Sequence, residues 1–319
     1  MNNNNKKINR DGNTPSQKIF QDAYKHANYE NVVVEFAQNT RPYKGKVFAA
    51  VQTNVDDISR YCAGTVAKLI KEGYTGYLIR TTNDEKTGNG TNAENILQAE
   101  SENQKIAKEL GFTDVYNLYN LQHRMHDRSI LEVRGRFIFI FRALKVDTVL
   151  SYNPRETDEL DYDRLFTARA VEEACMYSGM RTHFPIFEEG GIMPYSVQQR
   201  YYYVTDSAQK YNRIIDIGST IDKKINAMAL CKSTEIGNKG SQIRKELAKQ
   251  GKRLPVLGND DETADMEYIR HFLLPQYSSF EGIEEYGLEY AERFLYYDDR
   301  EKAADKNLAE YIKRNAVTV

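Results

Sequence analysis

The stretch from Lys46 to Gly64 (KVFAAVQTNVDDISRYCAG) most constrains what this chain can fold into. It begins with an apolar run from Val47 to Val51, which predicts a buried strand. A polar loop follows, and beyond it apolar residues recur at the spacing of a helix. In open α/β sheets, ligands bind where strands end and helices begin. The two adjacent acids of this loop, Asp56 and Asp57, are therefore the first candidates for chemistry.

Strand and helix patterns keep alternating after this first unit. Apolar runs at 76–81, 115–118 and 146–150 predict buried strands, and each is followed by a polar loop and a helix pattern. Thr91 and Glu94 form a capping box at the start of one of these helices. The alternation predicts an α/β fold, Rossmann-like, with a mostly parallel sheet and helices on both faces.

The sequence pattern divides the chain into three parts. Residues 1–17 are Asn-rich, polar and aperiodic, which predicts a disordered tail. Residues 18–240 carry the strand and helix patterns and are expected to form the α/β domain. Residues 241–319 are expected to form a helical C-terminal extension packed on the same domain, with one or two helices between Tyr286 and Ala316.

Three shorter apolar segments predict further strands. Val32 to Phe36 is interpreted as an edge strand or as a lead-in to the first buried strand. Tyr201 to Val204 and Ile214 to Ile217 could be antiparallel additions at the edge of the sheet.

Charge and hydropathy limit the classes of partner. The chain has 44 basic and 46 acidic side chains and a net charge of -2, so no bulk field favours nucleic acid or an anionic membrane. No apolar run approaches the roughly 18 residues of a membrane span, and the first residues lack the apolar centre of a secretory signal. We therefore expect a cytoplasmic protein with no nucleic-acid partner. Its three cysteines are far apart with no CxxC pair, which favours buried thiols over disulfides or a structural zinc site.

Four short segments carry a resemblance to a known family. They are TNVDD at 53–57, AGTVA at 63–67, DYDR at 161–164 and LCKST at 230–234. In this order, between Lys46 and Ser233, they resemble the motifs of the PIG-L/LmbE family of zinc-dependent N-deacetylases. The resemblance implies a Rossmann-like α/β fold and the removal of acetyl groups from N-acetylated sugar conjugates.

The resemblance also implies roles for individual residues. Asp56 stands at the position of the general base, and Asp57 stands at that of a zinc ligand. Asn54 stands where the family has a zinc-binding histidine. Arg164 takes the position of the third zinc ligand, also a histidine, and Asp161 that of a histidine that assists the oxyanion.

These substitutions change the chemistry that the resemblance implies. An asparagine carbonyl is a weak neutral donor, and a guanidinium has no free lone pair and repels a cation. The usual zinc site is therefore not expected to assemble around Asn54 and Arg164. Our hypothesis is that Arg164 replaces the positive charge of the metal by pairing with Asp57, so that no cofactor is needed. Zinc or another divalent cation is expected only if the site is active.

Other residues are candidates for the same site. Asp163 is the remaining acid of the DYDR segment and a further catalytic candidate. With Asp161, Asp57 and Asn54 it could form an all-oxygen cage for Mg²⁺, Mn²⁺ or Ca²⁺, which the neighbouring Arg164 opposes.

Several polar residues could line a ligand pocket. Thr82 and Asn83 end the second buried strand and either line a sugar pocket, together with Arg164, or cap the strand. His123 and His126 are either metal ligands supplied by a neighbouring loop or ordinary surface histidines.

The sequence thus predicts a PIG-L/LmbE-like protein with an impaired deacetylase site and a pocket for an N-acetylated sugar or similar small conjugate. One alternative is an active metal-dependent N-deacetylase with an unusual ligand set and Asp56 as its base. Another is a structural or regulatory subunit that keeps the fold for assembly. A homo-oligomer is compatible with each of them.

Overall fold

A computed structural model of the chain describes residues 32–156, 159–206, 208–279, 283–299, 309 and 312–316. The predicted tail at 1–17 lies outside these residues. Eight strands are present in the described part of the chain and form one sheet. They are β1 (Val33–Glu35), β2 (Val47–Gln52), β3 (Thr75–Thr82), β4 (Asp114–Asn120), β5 (Thr148–Tyr152), β6 (Gln199–Tyr203), β7 (Arg213–Asp216) and β8 (Ala291–Asp298).

Helices cover both faces of this sheet. They are α1 (Asp57–Tyr61), α2 (Ala63–Lys71), α3 (Asn92–Leu110), α4 (Ile130–Leu144), α5 (Tyr162–Tyr177), α6 (Ile186–Glu189), α7 (Ile221–Ala229), α8 (Lys239–Lys249), α9 (Asp261–Tyr268) and α10 (Leu274–Tyr277). Within the ranges that the structure describes, none of the helices combines the length and apolarity of a membrane span.

The sheet is mostly parallel, as the alternation of patterns predicts. Its strand order is β1-β7-β8-β6-β5-β2-β3-β4, and every neighbouring pair from β6 to β4 is parallel. β2 lies at the centre of this parallel part, between β5 and β3. The predicted α/β fold is confirmed.

The central strand is apolar along its whole length because both of its faces are covered. Phe48 and Ala50 face the helices α2, α3 and α7, whereas Ala49 and Val51 face α4 and α5. All four side chains are buried. Successive residues of a strand point to opposite faces, so a strand buried on both sides has no polar alternation.

Local signals place the boundaries of α3 correctly. Thr91 and Glu94 form the predicted capping box at its start. Gly111 ends it with a φ of 91°, in the left-handed region that glycine adopts without strain.

The outer half of the sheet differs from the sequence prediction because neither β6 nor β7 lies at its edge. Both strands are antiparallel to β8, but β6 is also parallel to β5 and β7 is also parallel to β1. β1 forms the edge of the sheet, which confirms the edge-strand interpretation of Val32 to Phe36.

The prediction of helix between Tyr286 and Ala316 is wrong for Ala291–Asp298, which form β8 between β6 and β7. This segment (AERFLYYD) is rich in aromatic residues, which pack well on a pleated sheet. The extension predicted for residues 241–319 is therefore helical at α8, α9 and α10 but contributes a strand to the sheet. The division of the chain at residue 240 stays a prediction.

Candidate functional site

The candidate site lies where β2, β3 and β5 end. The residues after β2 lead directly into α1, whose first residue is Asp57. The hydroxyl of Thr82, at the end of β3, donates to the carbonyl of Thr53, 2.8 Å away. This bond holds the loop after β2 against the neighbouring strand. The acids of the loop are thus positioned at the carboxyl edge of a parallel sheet, where ligands bind in open α/β folds.

Asp57 and Arg164 form a buried ion pair. The Nε and Nη2 atoms of Arg164 lie 3.0 Å and 2.9 Å from Oδ1 of Asp57. Oδ2 of Asp57 accepts from the backbone N–H groups of Thr53 and Asn54, each at 3.0 Å. The Asp57 side chain is fully buried, and that of Arg164 is 15% exposed. The predicted pairing of these two residues is confirmed.

Burial and charge act in opposite directions on this pair. Burial raises the pKa of the Asp57 carboxyl, while the Arg164 guanidinium and the Asn54 N–H favour its ionised form. Burial disfavours the charge of Arg164, but Asp57 and other nearby groups raise its pKa above the ordinary value. The guanidinium carbon also lies 5.9 Å from the centre of the Tyr61 ring. The positive charge at this point is therefore permanent.

Asn54 is held by hydrogen bonds at both ends of its amide. Its Nδ2 donates to Oδ2 of Asp161 at 2.8 Å, and its Oδ1 accepts from Nε2 of Gln122 at 3.2 Å. Asp161 in turn caps α5, because its Oδ1 accepts from the backbone N–H of Asp163 at 3.0 Å. Both residues therefore lie beside the Asp57–Arg164 pair and have structural partners.

Asp163 positions a neighbouring loop. Its Oδ1 accepts from the backbone N–H of Met125 at 3.0 Å, and its Oδ2 accepts from that of His123. Burial raises the pKa of Asp163, although the two backbone bonds oppose the shift. His126, on the same loop, has an exposed side chain beside Asp127, as expected of a surface histidine.

The residues at the family's zinc position do not fit a zinc ion. Asn54 offers a neutral amide that is already hydrogen-bonded, and the guanidinium of Arg164 occupies the side of Asp57 where a cation would bind. Zinc needs about three donors with free lone pairs, and only Asp57 supplies one here.

A second group of possible metal donors lies nearby. Ligand atoms of His123, Asp161 and Asp163 all lie within 4.8 Å of one another. However, each of the four carboxylate oxygens already accepts a hydrogen bond. Nε of Arg164 lies 3.9 Å from Oδ2 of Asp161 and opposes a second positive charge.

Asp56 is paired with Arg60 one helical turn away. Nη2 of Arg60 lies 2.5 Å from Oδ2 of Asp56. The guanidinium carbon of Arg60 lies 5.7 Å from the ring centres of both Tyr61 and Tyr277. Arg60 is therefore held in place by charge and by aromatic contacts, and it binds the residue that the sequence motif marks as a base.

A polar cleft of about 370 Å³ opens beside these groups. It is lined by Asn54, Asp56, Arg60, Thr87, Gly88, Asn89, Gln122, Ser233, Thr234 and Glu235. Thr82 and Asn83 are buried, and neither they nor Arg164 belong to this lining. Their proposed contact with a ligand stays a prediction.

Three functional candidates were not predicted from the sequence. Arg60 carries a local signal, because it follows Asp56 by four residues on a helix. Gln122 follows β4 at the carboxyl edge of the sheet. Glu102 has no such signal: it lies on α3 and accepts from the backbone N–H and the hydroxyl of Ser233, at 2.9 Å and 2.6 Å.

Several solved structures have a fold similar to that of this chain. No family model matches the sequence. N,N'-diacetylchitobiose deacetylase from Pyrococcus horikoshii has a similar structure, with a TM-score of 0.64, 19% identity, and coverage of 89% of this chain and 93% of that chain. A conserved protein from Thermus thermophilus has a TM-score of 0.54 and 18% identity, with coverage of 78% of this chain and 93% of that chain. The 4-carboxy-2-hydroxymuconate hydratase from Pseudomonas putida has a TM-score of 0.55 and 16% identity, with coverage of 79% of this chain and 95% of that chain.

The architecture is that of an α/β protein with its candidate site at the carboxyl edge of a mostly parallel sheet. More narrowly, the chain has the fold of the PIG-L/LmbE-type deacetylases, as its sequence motifs predict. Because these proteins are only 16–19% identical to this chain, the comparison establishes a shared fold and not a shared activity. Because a hydratase shares it, the activity of this chain must be argued from its own site.

Proposed function

We propose that this protein binds an N-acetylated sugar or a similar small conjugate in the polar cleft and does not hydrolyse it through a zinc site. The observation that carries the proposal is the contact of two guanidinium nitrogens of Arg164 with Oδ1 of Asp57. A zinc ion and this guanidinium would compete for the same carboxylate.

The chemistry of the cleft supports a sugar-like ligand. Its lining combines two carboxylates, a guanidinium, amides and hydroxyls, which are the groups that bind sugar hydroxyls and amides. One protein of similar fold is named as a deacetylase of N,N'-diacetylchitobiose, an N-acetylated sugar. We therefore expect the acetamido group to be part of what is recognised.

The pairing of Asp56 with Arg60 supports the loss of hydrolysis. A general base must present a free oxygen to the proton that it accepts, and Oδ2 of Asp56 is in contact with the Arg60 guanidinium. This contact leaves Asp56 fewer free positions from which to accept a proton from water or a ligand.

Binding and hydrolysis can be tested on the same preparation. The protein is titrated with N-acetylglucosamine and N,N'-diacetylchitobiose by calorimetry and NMR, with glucosamine as the ligand that lacks the acetyl group. We expect saturable binding of the acetylated sugars that a chelator does not change, and no release of acetate when Zn²⁺ or Mn²⁺ is added.

Matched variants locate the binding. Asn89→Ala removes an amide from the cleft, whereas Asn92→Ala removes one from an exposed position outside its lining. Only the first should weaken binding. Equal effects of the two changes, or no saturable binding of any acetylated sugar, would count against the proposal.

A second candidate function is an active metal-dependent N-deacetylase. It is favoured by the proximity of the His123, Asp161 and Asp163 donor atoms. It predicts acetate release that depends on added metal and is abolished by both Asp56→Asn and His123→Ala. Acetate release with this pattern would replace the first proposal.

A further inference from the structure

One face of α3 carries two buried polar side chains, Asn95 and Glu102. Each is 4% exposed, and they are seven residues apart in the sequence. Seven residues are about two helical turns, so the two side chains lie on the same face, roughly 10 Å apart along the helix axis. Each contacts a different segment near the polar cleft, and two of the segments that line this cleft are residues 87–89 and 233–235. These segments are called here the 87–89 wall and the 233–235 wall.

Asn95 holds the 87–89 wall at both of its ends. Its Oδ1 accepts from the backbone N–H of Gly90 at 3.0 Å, and its Nδ2 donates to the carbonyls of Glu85 and Gly90 at 3.1 Å and 3.3 Å. Gly88 approaches so closely that a β-carbon added to it would lie 2.8 Å from Oδ1 of Asn95. The wall therefore rests directly on this amide.

Glu102 holds the 233–235 wall. Its Oε1 accepts from the backbone N–H of Ser233 at 2.9 Å, and its Oε2 accepts from the Ser233 hydroxyl at 2.6 Å. Gln98, one turn earlier on α3, donates to Oε1 at 2.9 Å and fixes the carboxylate. Among the residues that the structure describes, the N–H of Ser233 donates to Glu102 alone, and that of Gly90 to Asn95 alone.

We propose that Asn95 and Glu102 are positioning residues that hold these two walls of the cleft in their ligand-binding arrangement. The inference rests on the proposed function and deepens it, because it assigns the residues that shape the proposed sugar site. Neither side chain belongs to the lining of the cleft, so both act through the walls and not by contact with the ligand.

The physical reason is preorganisation. A site whose walls are fixed before the ligand arrives loses less conformational entropy on binding. Side chains on a helix of 19 residues give firmer support than loop segments give one another. Truncation of Glu102 leaves the N–H and the hydroxyl of Ser233 without their buried acceptor, which is costly, so the 233–235 wall should move towards water.

Amide hydrogen exchange of the full-length protein, without sugar, tests the anchoring itself. Glu102→Ala should raise the exchange rate of the Ser233 amide about tenfold or more and leave that of Gly90 unchanged. Asn95→Ala should do the reverse. Glu100→Ala is the matched control, because Glu100 lies on the same helix but accepts from the hydroxyl of Tyr119 at 2.7 Å. It should change neither rate.

Two conservative changes separate the reach of Glu102 from its charge. Glu102→Gln keeps the length of the side chain and an oxygen that can accept the Ser233 N–H, so it should restore the native exchange rate. Glu102→Asp keeps the charge but is one methylene shorter, so it should behave like Glu102→Ala. A role of the charge in general stability would give the opposite order for these two variants.

Sugar titrations with the ligands named above measure the effect on the cleft. Glu102→Ala, Glu102→Asp and Asn95→Ala should weaken binding about tenfold, whereas Glu102→Gln and Glu100→Ala should bind as the native protein does.

Three results would overturn the inference. The first is native exchange of the Ser233 and Gly90 amides in the truncated variants. The second is exchange that rises along the whole chain with no local excess, in Glu102→Asp as well as Glu102→Ala. The third is native sugar affinity in variants whose walls exchange faster. If the native protein binds no acetylated sugar, the proposed function fails, and the exchange rates alone decide whether α3 anchors the walls.

Discussion

The ammonium group of Lys224 lies 2.6 Å from the carboxylate of Glu292, and neither side chain is exposed to solvent. Glu292, on β8, also accepts from the backbone N–H groups of Gly64 and Thr65 at 3.1 Å and 2.8 Å. These groups belong to the first turn of α2, where a negative charge is favourable. The last strand of the sheet thus supports the helix that follows the candidate site.

Lys224→Met is expected to destabilise the protein strongly. The change leaves the Glu292 charge buried without its counter-ion, which typically costs about 3–5 kcal/mol of unfolding free energy. Lys223→Met is the matched control, because Lys223 is half-exposed and pairs with Glu109 at the surface; its cost should be about 0–1 kcal/mol. Urea unfolding measures both. Equal costs for the two variants would show that the buried pair has no special role.

The Asp57–Arg164 pair is expected to be strongly coupled. Arg164→Met should cost about 3–5 kcal/mol, because it leaves the fully buried Asp57 charge without its partner. Asp57→Asn should cost less, because Arg164 keeps Glu159 at 3.4 Å and Asp161 at 3.9 Å. The double variant removes both charges and should cost clearly less than the two single changes together. A double-mutant cycle by urea unfolding gives the coupling energy. The pair Arg181–Glu188 is the control, because Arg181 is 77% exposed to solvent; its expected coupling is about 0–1 kcal/mol. Additive costs at Asp57 and Arg164 would contradict the expectation.

The three cysteines are expected to be inert in the native protein. Burial raises the pKa of Cys175 to about 12 and those of Cys62 and Cys231 well above the ordinary value. A thiol reacts as its thiolate, so a buried thiol with a raised pKa reacts slowly. An aromatic disulfide reagent at about pH 8 should label none of the three before unfolding and all of them in denaturant. Labelling of the native protein at the rate of a free thiol would be inconsistent with this burial.

Asp84 is expected to make stability depend on pH. Burial raises the pKa of its carboxyl from 3.8 to about 7, although Arg80 and the Val55 N–H oppose the shift. The native state therefore holds a proton that the unfolded state releases. The resulting stabilisation is fully present below the unfolded pKa and is lost as the pH rises through about 7.

Asp84→Asn tests this dependence. Between about pH 4 and pH 7, the unfolding free energy of the native protein should fall relative to that of the variant, by at most about 4 kcal/mol. Asparagine keeps an oxygen that can accept the Val55 N–H, so the local hydrogen bond is retained. Urea titrations at several pH values give the slope of unfolding free energy against pH for each protein. Identical slopes would mean that Asp84 titrates alike in both states.

The parallel part of the fold could be predicted because its signals are local. Apolar runs such as Val47 to Val51 identify the central strand, and the Thr91 capping box identifies the start of α3. The Asp57–Arg164 contact was also predictable, since two aligned motifs place complementary charges where a metal would bind.

The rest of the site depends on contacts between distant parts of the chain. Glu102 and Ser233 are separated by 131 positions, and no periodicity marks their contact. The strand β8 was not predicted because its sequence pattern is compatible with a helix or a strand. Its strand conformation depends on its pairing with β6 and β7, which are distant in the sequence. Arg60 is the exception, since its pairing with Asp56 follows the i, i+4 rule for helices.

The place of β8 in the sheet has a consequence for biosynthesis. In the described part of the chain, β1 and β7 reach the other strands only through β8, which is the last strand to be translated. A nascent chain can assemble β2 to β6 early, whereas β1 and β7 can join these strands only after β8 has been translated. Premature termination before residue 291 would therefore leave β1 and β7 as a separate strand pair with no connection to β6.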